Sequence, residues 1–226
     1  MNKLIDLLTH RHLVWQGNRE QPVTETIASG FSEVDSVLAG GFPLQGVIEL
    51  DTSVGIGELR FLLPSLAKQT RLVAFIHPPA QVNAQALVHA GVAAERVLVI
   101  EPKTTQEALW AAEWCAKSGA CASVLLWQDD LAIHQIKRLQ LAAAGGEAQV
   151  WLLRHDIRES LALPWTLSMR LLATEEGLEA MVNKRKGGWS SRTFKVNFQP
   201  QWADLVLTPE PSAEIFPFQA MQHAAK

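Results

Sequence analysis

Apolar residues along this chain arrive in short blocks, and the spacing between them alternates between two periods. Continuous apolar runs at 47–50, 72–76, 97–100, 124–127 and 148–153 read as strands buried on both faces. Between the runs the spacing becomes helical. Leu59, Leu62, Leu63 and Leu66 predict a helix over about 58–68, with Pro64 inside it as a kink. Residues 84–90 predict a second helix, and Thr104 with Glu107 forms a capping box for a third that runs to about Lys117. Trp110 and Trp114 stand at i, i+4 on that helix, which assigns them to core or domain packing rather than ligand stacking. A fourth helix is predicted over 131–144, closed by Gly145-Gly146. Ahead of all these, Ser32 and Asp35 are spaced like a cap, with Val34, Val37 and Leu38 as the buried face of a short helix that Gly40-Gly41 and Pro43 end. Strands alternating with helices predict an α/β fold around a mostly parallel central sheet covered on both faces.

The pattern shifts after residue 165 to short strands at 167–172, 178–183 and 192–198. The last two flank a basic turn, Lys184-Arg185-Lys186-Gly187-Gly188, and predict a C-terminal antiparallel hairpin with Phe194, Val196 and Phe198 turned inward. Three regions follow: an N-terminal arm over 1–20 with a short helix at 4–8, a core over 21–198, and a proline- and aromatic-rich tail over 199–226. Leu13 and Trp15 in the arm, and Trp202, Phe216 and Phe218 in the tail, are apolar side chains suited to docking a partner. His10 and His12 flank Arg11 with no second ligand pair nearby, so no metal site is expected.

Composition narrows the function. A net charge of −3 gives no general attraction to DNA or to an anionic membrane, so any nucleic-acid contact is local and weak. Arg154, His155 and Arg158 form one candidate, and Lys184, Arg185 and Lys186 another. Cys115 and Cys121 are the only cysteines and their spacing fits no zinc or redox motif, which points to a reducing, cytoplasmic compartment. The start lacks the pattern of a signal peptide, and no apolar run reaches the ~18 residues of a membrane span.

The most informative stretch is Thr52-Ser-Val-Gly-Ile-Gly-Glu-Leu59, between the strand at 47–50 and the helix that starts near Glu58. This is the place of a G-x-x-x-x-G-K-[ST] phosphate loop, in which backbone N–H groups and a helix N-terminus surround phosphate, a lysine contacts it and a hydroxyl holds Mg²⁺. Here the first glycine position is Thr52 and the second is Gly57, while Glu58 replaces the lysine and Leu59 the hydroxyl. A carboxylate facing a triphosphate disfavours binding. Gly55 and Gly57 are kept for backbone geometry in a strand-to-helix turn.

The order of elements resembles a RecA ATPase core. The resemblance is carried by Ile27-Ala28-Ser29-Gly30, Val34-Asp35 and Gly40-Gly41-Phe42-Pro43-Leu44-Gln45-Gly46-Val47-Ile48-Glu49, and by an ungapped register over 74–127 that includes Ala74-Phe75-Ile76, Gly91-Val92 and Ser118-Gly119-Ala120. It spans about 24–198. In that register the catalytic glutamate of RecA falls on Pro79 and the Walker B aspartate on Trp127, with Asp129 and Asp130 just beyond as possible substitutes or as a solvated strand-end loop. The resemblance thus implies a degenerate P-loop, no hydrolysis, no nucleotide, metal or cofactor site, and two shortened DNA-facing loops, the second over about 154–165. Within this group the chain resembles the ImuA family, RecA-like accessories of damage-inducible translesion synthesis, through Val14-Trp15 in the arm and Leu62-Leu63-Pro64-Ser65-Leu66-Ala67. That resemblance implies an adaptor contacting RecA and an ImuB-type polymerase-like protein during the SOS response. The related SulA family implies the alternative, an inhibitor of cell division that binds FtsZ.

Overall fold

A computed structural model describes residues 25–155, 163–174, 177–186 and 190–202. The strands and helices, in chain order, are β1 (Thr26–Ile27), α1 (Ser32–Val37), β2 (Phe42–Pro43), β3 (Gly46–Asp51), α2 (Glu58–Ala67), β4 (Leu72–Ile76), α3 (Ala84–His89), β5 (Val97–Ile100), α4 (Thr105–Lys117), β6 (Cys121–Trp127), α5 (Ile133–Gly146), β7 (Gln149–Arg154), β8 (Leu167–Thr174), β9 (Gly177–Arg185) and β10 (Phe194–Val196).

The main sheet has eight strands in the order β10-β9-β8-β3-β7-β6-β4-β5. The strands from β8 to β5 are parallel, β9 pairs antiparallel with β8, and β10 antiparallel with β9. The alternating pattern therefore forms a mostly parallel α/β sheet with an antiparallel C-terminal hairpin. Every residue of β6 and β7 is buried, as a central parallel strand requires. One core packs Ile48, Leu50, Phe75 and Trp151 against α1, α2 and α3. The other packs Val47, Val124, Leu126 and Leu152 against α4 and α5.

Ser123 and Gln149 inside the sheet are paired with Gln69. Ser123 Oγ lies 2.8 Å from Gln69 Oε1 and 2.9 Å from Gln149 Oε1, Gln69 Nε2 donates to Gln149 Oε1 at 2.8 Å, and Gln149 Nε2 donates to the Pro43 carbonyl at 2.6 Å. This network ties Ser123 of β6 and Gln149, the first residue of β7, to β2 and explains how Ser123 is accommodated in an apolar strand.

Several expectations need correction. Val37 is exposed, because α1 is a short helix that buries only Val34. Ser32 does not cap α1; Asp35 instead reaches back to accept the Ser29 N–H at 2.7 Å. Thr104 caps α4 by accepting the Glu107 N–H at 3.1 Å, but Glu107 reaches the Lys103 N–H rather than that of Thr104. Trp110 and Trp114 are not core residues: they are 59% and 58% exposed on the outer face of α4, ring centroids 5.8 Å apart. The face that packs inward is the small-residue stripe Ala108, Ala112 and Ala116 with Leu109. Lys184 and Arg185 are the last residues of β9 rather than part of a turn, which begins at Lys186.

Pro64 lies inside α2 and removes the N–H that would reach the Arg60 carbonyl. The Trp202 indole N–H donates to that carbonyl at 3.3 Å, and Gln201 Nε2 donates to the Gly30 carbonyl at 2.9 Å. Trp202 also packs on the core beside Phe198, so as a docking candidate it is already engaged by its own domain. Leu13, Trp15, Arg158, Phe216, Phe218 and the helix expected at 4–8 lie outside the described residues.

Candidate functional site

Strand β3 delivers the chain to the loop 52–57 at its C-terminal end, and α2 carries it away. The Thr52 N–H continues the β3–β7 ladder by donating to the Arg154 carbonyl at 2.8 Å. Gly55 and Gly57 then take φ of 86° and 112°, left-handed values that residues with a Cβ resist, and Gly57 occupies the N-cap of α2. These turns point successive backbone N–H groups toward one place, the arrangement that cradles anions.

The anion there belongs to the chain itself. Glu58, the first residue of α2, is only 6% exposed, and its Oε2 accepts the N–H groups of Gly55 at 3.0 Å and Gly57 at 3.2 Å. The carboxylate is thus stabilised by two N–H dipoles and the N-terminus of α2. Leu59 is half-buried against the apolar core and offers no metal ligand.

A cavity of about 530 Å³ opens beside this loop, lined among others by Thr52, Glu58, Trp127, Asp129, Asp130 and Arg154. The volume is ordinary for a small-molecule site. Its rim carries the carboxylates of Glu58, Asp129 and Asp130, which repel a polyphosphate. Trp127 closes β6, is 9% exposed and stacks on Phe75 at 6.1 Å, so an indole fills the strand end. Its Nε1 and Gln128 Oε1 are buried with no partner among the described residues. Pro79 lies exposed on the far rim, after His77, whose φ is 55°.

Asp129 is committed to structure. Its Oδ1 accepts the His155 N–H at 2.7 Å and its carbonyl accepts Arg154 Nε at 2.8 Å, linking the ends of β6 and β7. Asp130 is exposed, and its carbonyl accepts Gln128 Nε2 at 3.2 Å. No group of three His, Cys, Asp or Glu side chains able to hold a metal occurs among the described residues.

Arg154 differs most from expectation. It is not a cation available to a phosphate backbone: it is 9% exposed and its Nη1 lies 2.8 Å from Glu49 Oε1. Ser168 Oγ donates to the other carboxylate oxygen at 2.6 Å, and the guanidinium lies 5.8 Å from the Trp165 ring centroid. The charge of Arg154 is thus spent inside the fold, which is how a buried ion pair is tolerated. Next to it, Asp51 pairs with Arg170 Nε at 2.6 Å. Of the other basic candidates, Lys184 Nζ donates to the Leu163 carbonyl at 2.7 Å, Arg185 is half-buried and Lys186 is exposed. Among the described residues, Arg154 is therefore withdrawn from the basic surface that the candidates were expected to supply.

These features describe a mostly parallel α/β domain in which the loop between β3 and α2 binds the Glu58 carboxylate. No family model matches the chain. It is 27% identical over 114 residues to Protein RecA from two strains of Corynebacterium glutamicum, covering 49% of this chain and 30% of RecA. The chain therefore spans about a third of the length of the curated relatives it matches. Among solved structures, the RadB recombinase superposes with a TM-score of 0.61 at 14% identity, covering 74% of this chain and 94% of RadB, which shows the fold. SulA from Pseudomonas aeruginosa matches at 27% identity with a TM-score of 0.41, over 48% of this chain and 97% of SulA. No helix among the described residues is long and apolar enough to cross a membrane.

Proposed function

We propose that this chain is a non-catalytic, RecA-like accessory protein of SOS-induced translesion DNA synthesis, a protein–protein adaptor for RecA and an ImuB-type polymerase-like partner. The observation that carries the reading is the Glu58 carboxylate bound to the loop N–H groups. A nucleotide phosphate would have to displace an anion that cannot diffuse away, and would then meet Asp129 and Asp130 with no lysine or Mg²⁺ ligand to offset them. Loss of catalytic groups with retention of the sheet leaves surfaces as the working parts. Trp110 and Trp114 supply one such surface, since exposed tryptophans are the side chains most enriched at interface hot spots.

Two measurements test this. Calorimetric titration with Mg-ATP is expected to give no binding; submillimolar affinity overturns the non-catalytic reading. Capture of purified RecA and the ImuB-type protein is expected for the wild-type chain and is weakened in a Trp110→Ala/Trp114→Ala double variant. Capture of neither partner, together with filamentation of undamaged cells on overexpression, would assign the chain to FtsZ inhibition instead.

A further inference from the structure

The outward face of α4 is a strip with a charge at each end. Glu107, Trp110, Trp114 and Lys117 follow one another at spacings of three, four and three residues, which places all four on one side of the helix. All four are exposed, and they lie opposite the stripe of Ala108, Ala112 and Ala116 that packs on the sheet. The two indoles are 59% and 58% exposed with ring centroids 5.8 Å apart, so they form one apolar surface in the middle of the strip. An acid stands N-terminal to them and a base C-terminal.

The groups around the strip do not cancel these charges. Glu107 Oε2 accepts the Lys103 N–H at 2.8 Å, a neutral donor that leaves the carboxylate its charge. On the flank, Arg138 of α5 pairs with Glu113, so that ion pair is made within the chain.

The strip is complementary to itself. Turning a second copy of α4 end over end about a two-fold axis at Ala112 brings Trp110 of one copy against Trp114 of the other. The same operation brings Glu107 against Lys117, because both pairs are centred on Ala112. One axis thus makes both indole contacts twice over and both ion pairs, as an isologous interface requires. A parallel arrangement would set Glu107 on Glu107 and Lys117 on Lys117, so the charges select the antiparallel one.

We propose that α4 is a homodimerisation face, on which two copies of this chain pack antiparallel through Trp110 and Trp114 and are held in register by Glu107–Lys117 ion pairs. The inference rests on the docking role given to these tryptophans above and names what covers them in the free protein. A partner that uses the same indoles must then displace the second copy. The face is small, two indoles and two charges per copy, and falls short of the ~1,200 Å² of a stable interface. The dimer is therefore weak and exchanges readily, with a dissociation constant on the order of 10–100 µM.

Sedimentation equilibrium of the full chain tests this. The wild type is expected to show a reversible monomer–dimer equilibrium in the micromolar range, and Trp110→Ala/Trp114→Ala to be monomeric throughout. Glu107→Lys and Lys117→Glu each turn both ion pairs into like-charge contacts and should each weaken the dimer roughly tenfold. Mixed in equal amounts, the two variants complement each other at both positions, so a heterodimer should return with the wild-type affinity. That recovery separates repulsion from misfolding, because mixing does not rescue a misfolded variant. A wild type that stays monomeric to ~1 mM, or a dimer that survives the double tryptophan change, would overturn the proposal. So would charge variants that associate as well as the wild type or fail to recover on mixing. A monomeric wild type that still captures RecA would remove this inference alone, whereas a dimer that captures neither RecA nor the ImuB-type protein would remove the adaptor reading alone.

Discussion

Removing the Glu58 carboxylate isolates what it does for the fold. In Glu58→Ala the N–H groups of Gly55 and Gly57 lose an acceptor at 3.0 and 3.2 Å. Hydrogen bonds to a charged group contribute about 1.5–3 kcal/mol each, but Gly55 is exposed and Gly57 half-exposed, so water re-solvates both donors in the variant. The expected net loss is about 2 kcal/mol for the pair, or roughly 4–8 °C in Tm for a chain of this size. Glu58→Gln keeps a neutral acceptor of the same shape and should lose about half as much.

Urea unfolding at constant m-value measures the stability difference, and sulfate titration supplies an independent arm. With the tethered carboxylate gone, the N–H groups and the α2 N-terminus become available to an external anion. Sulfate should then stabilise Glu58→Ala more than the wild type. If Glu58→Ala unfolds within about 0.5 kcal/mol of the wild type and gains nothing extra from sulfate, the carboxylate is not what holds the loop.

Other consequences are as direct. Arg154→Met strands the Glu49 carboxylate and should cost about 3–5 kcal/mol, most of it recovered in Arg154→Met/Glu49→Leu by denaturant melts. Trp202→Phe removes the donor that serves the Arg60 carbonyl and should cost about 1 kcal/mol; in a Pro64→Ala background, where the helix supplies its own N–H, the same change should cost less in a double-mutant cycle. Trp110→Ala/Trp114→Ala should leave stability within about 0.5 kcal/mol, because both rings are exposed, while partner capture falls. Alkylation of Cys115 should rise with pH through a midpoint near 7, since its lowered thiol ionises there, whereas an ordinary thiol would still be rising above pH 8.

What the sequence made legible follows from the range of the forces involved. The parallel strands and all five helices follow from local patterning to within a few residues, although the cap of α1 and the burial of Val37 do not. The two-residue strands β1 and β2 are too short to show a period. Strand β6 begins three residues before the expected 124 because Cys121, Ala122 and Ser123 are only weakly apolar, and Ser123 is made compatible by glutamines distant in sequence. The i, i+4 spacing of Trp110 and Trp114 suggests a core or domain-packing face, but Ala108, Ala112 and Ala116 form the stripe that faces inward on α4. Arg154 was the largest miss, because its partner Glu49 lies 105 residues away. A signal existed: a glutamate inside the apolar run that becomes β3 requires a cation, and Arg154 ends the neighbouring strand.

If the chain is the non-catalytic protein proposed above, the changes in the phosphate region are replacements rather than losses. A glycine-rich loop that presents converging N–H groups carries an unmet demand once its phosphate is gone. On the proposed reading, most polar groups around that loop have a protein partner, while Trp127 Nε1 and Gln128 Oε1 have none among the described residues. The loop N–H groups of Gly55 and Gly57 have Glu58, the His155 N–H has Asp129, the Arg154 guanidinium has Glu49 and the Asp129 carbonyl, and the end of β6 is filled by the Trp127 ring on Phe75. On that reading, introducing one residue of an intact phosphate loop would not create a site, because it would also remove a structural partner. Glu58→Lys, for example, should bring a cation to the loop N–H groups and destabilise the domain by at least as much as Glu58→Ala, with no gain in Mg-ATP affinity. An increase in Mg-ATP affinity from that single change would mean that the loop still holds its ligand geometry independently of Glu58, and the replacement argument would fail.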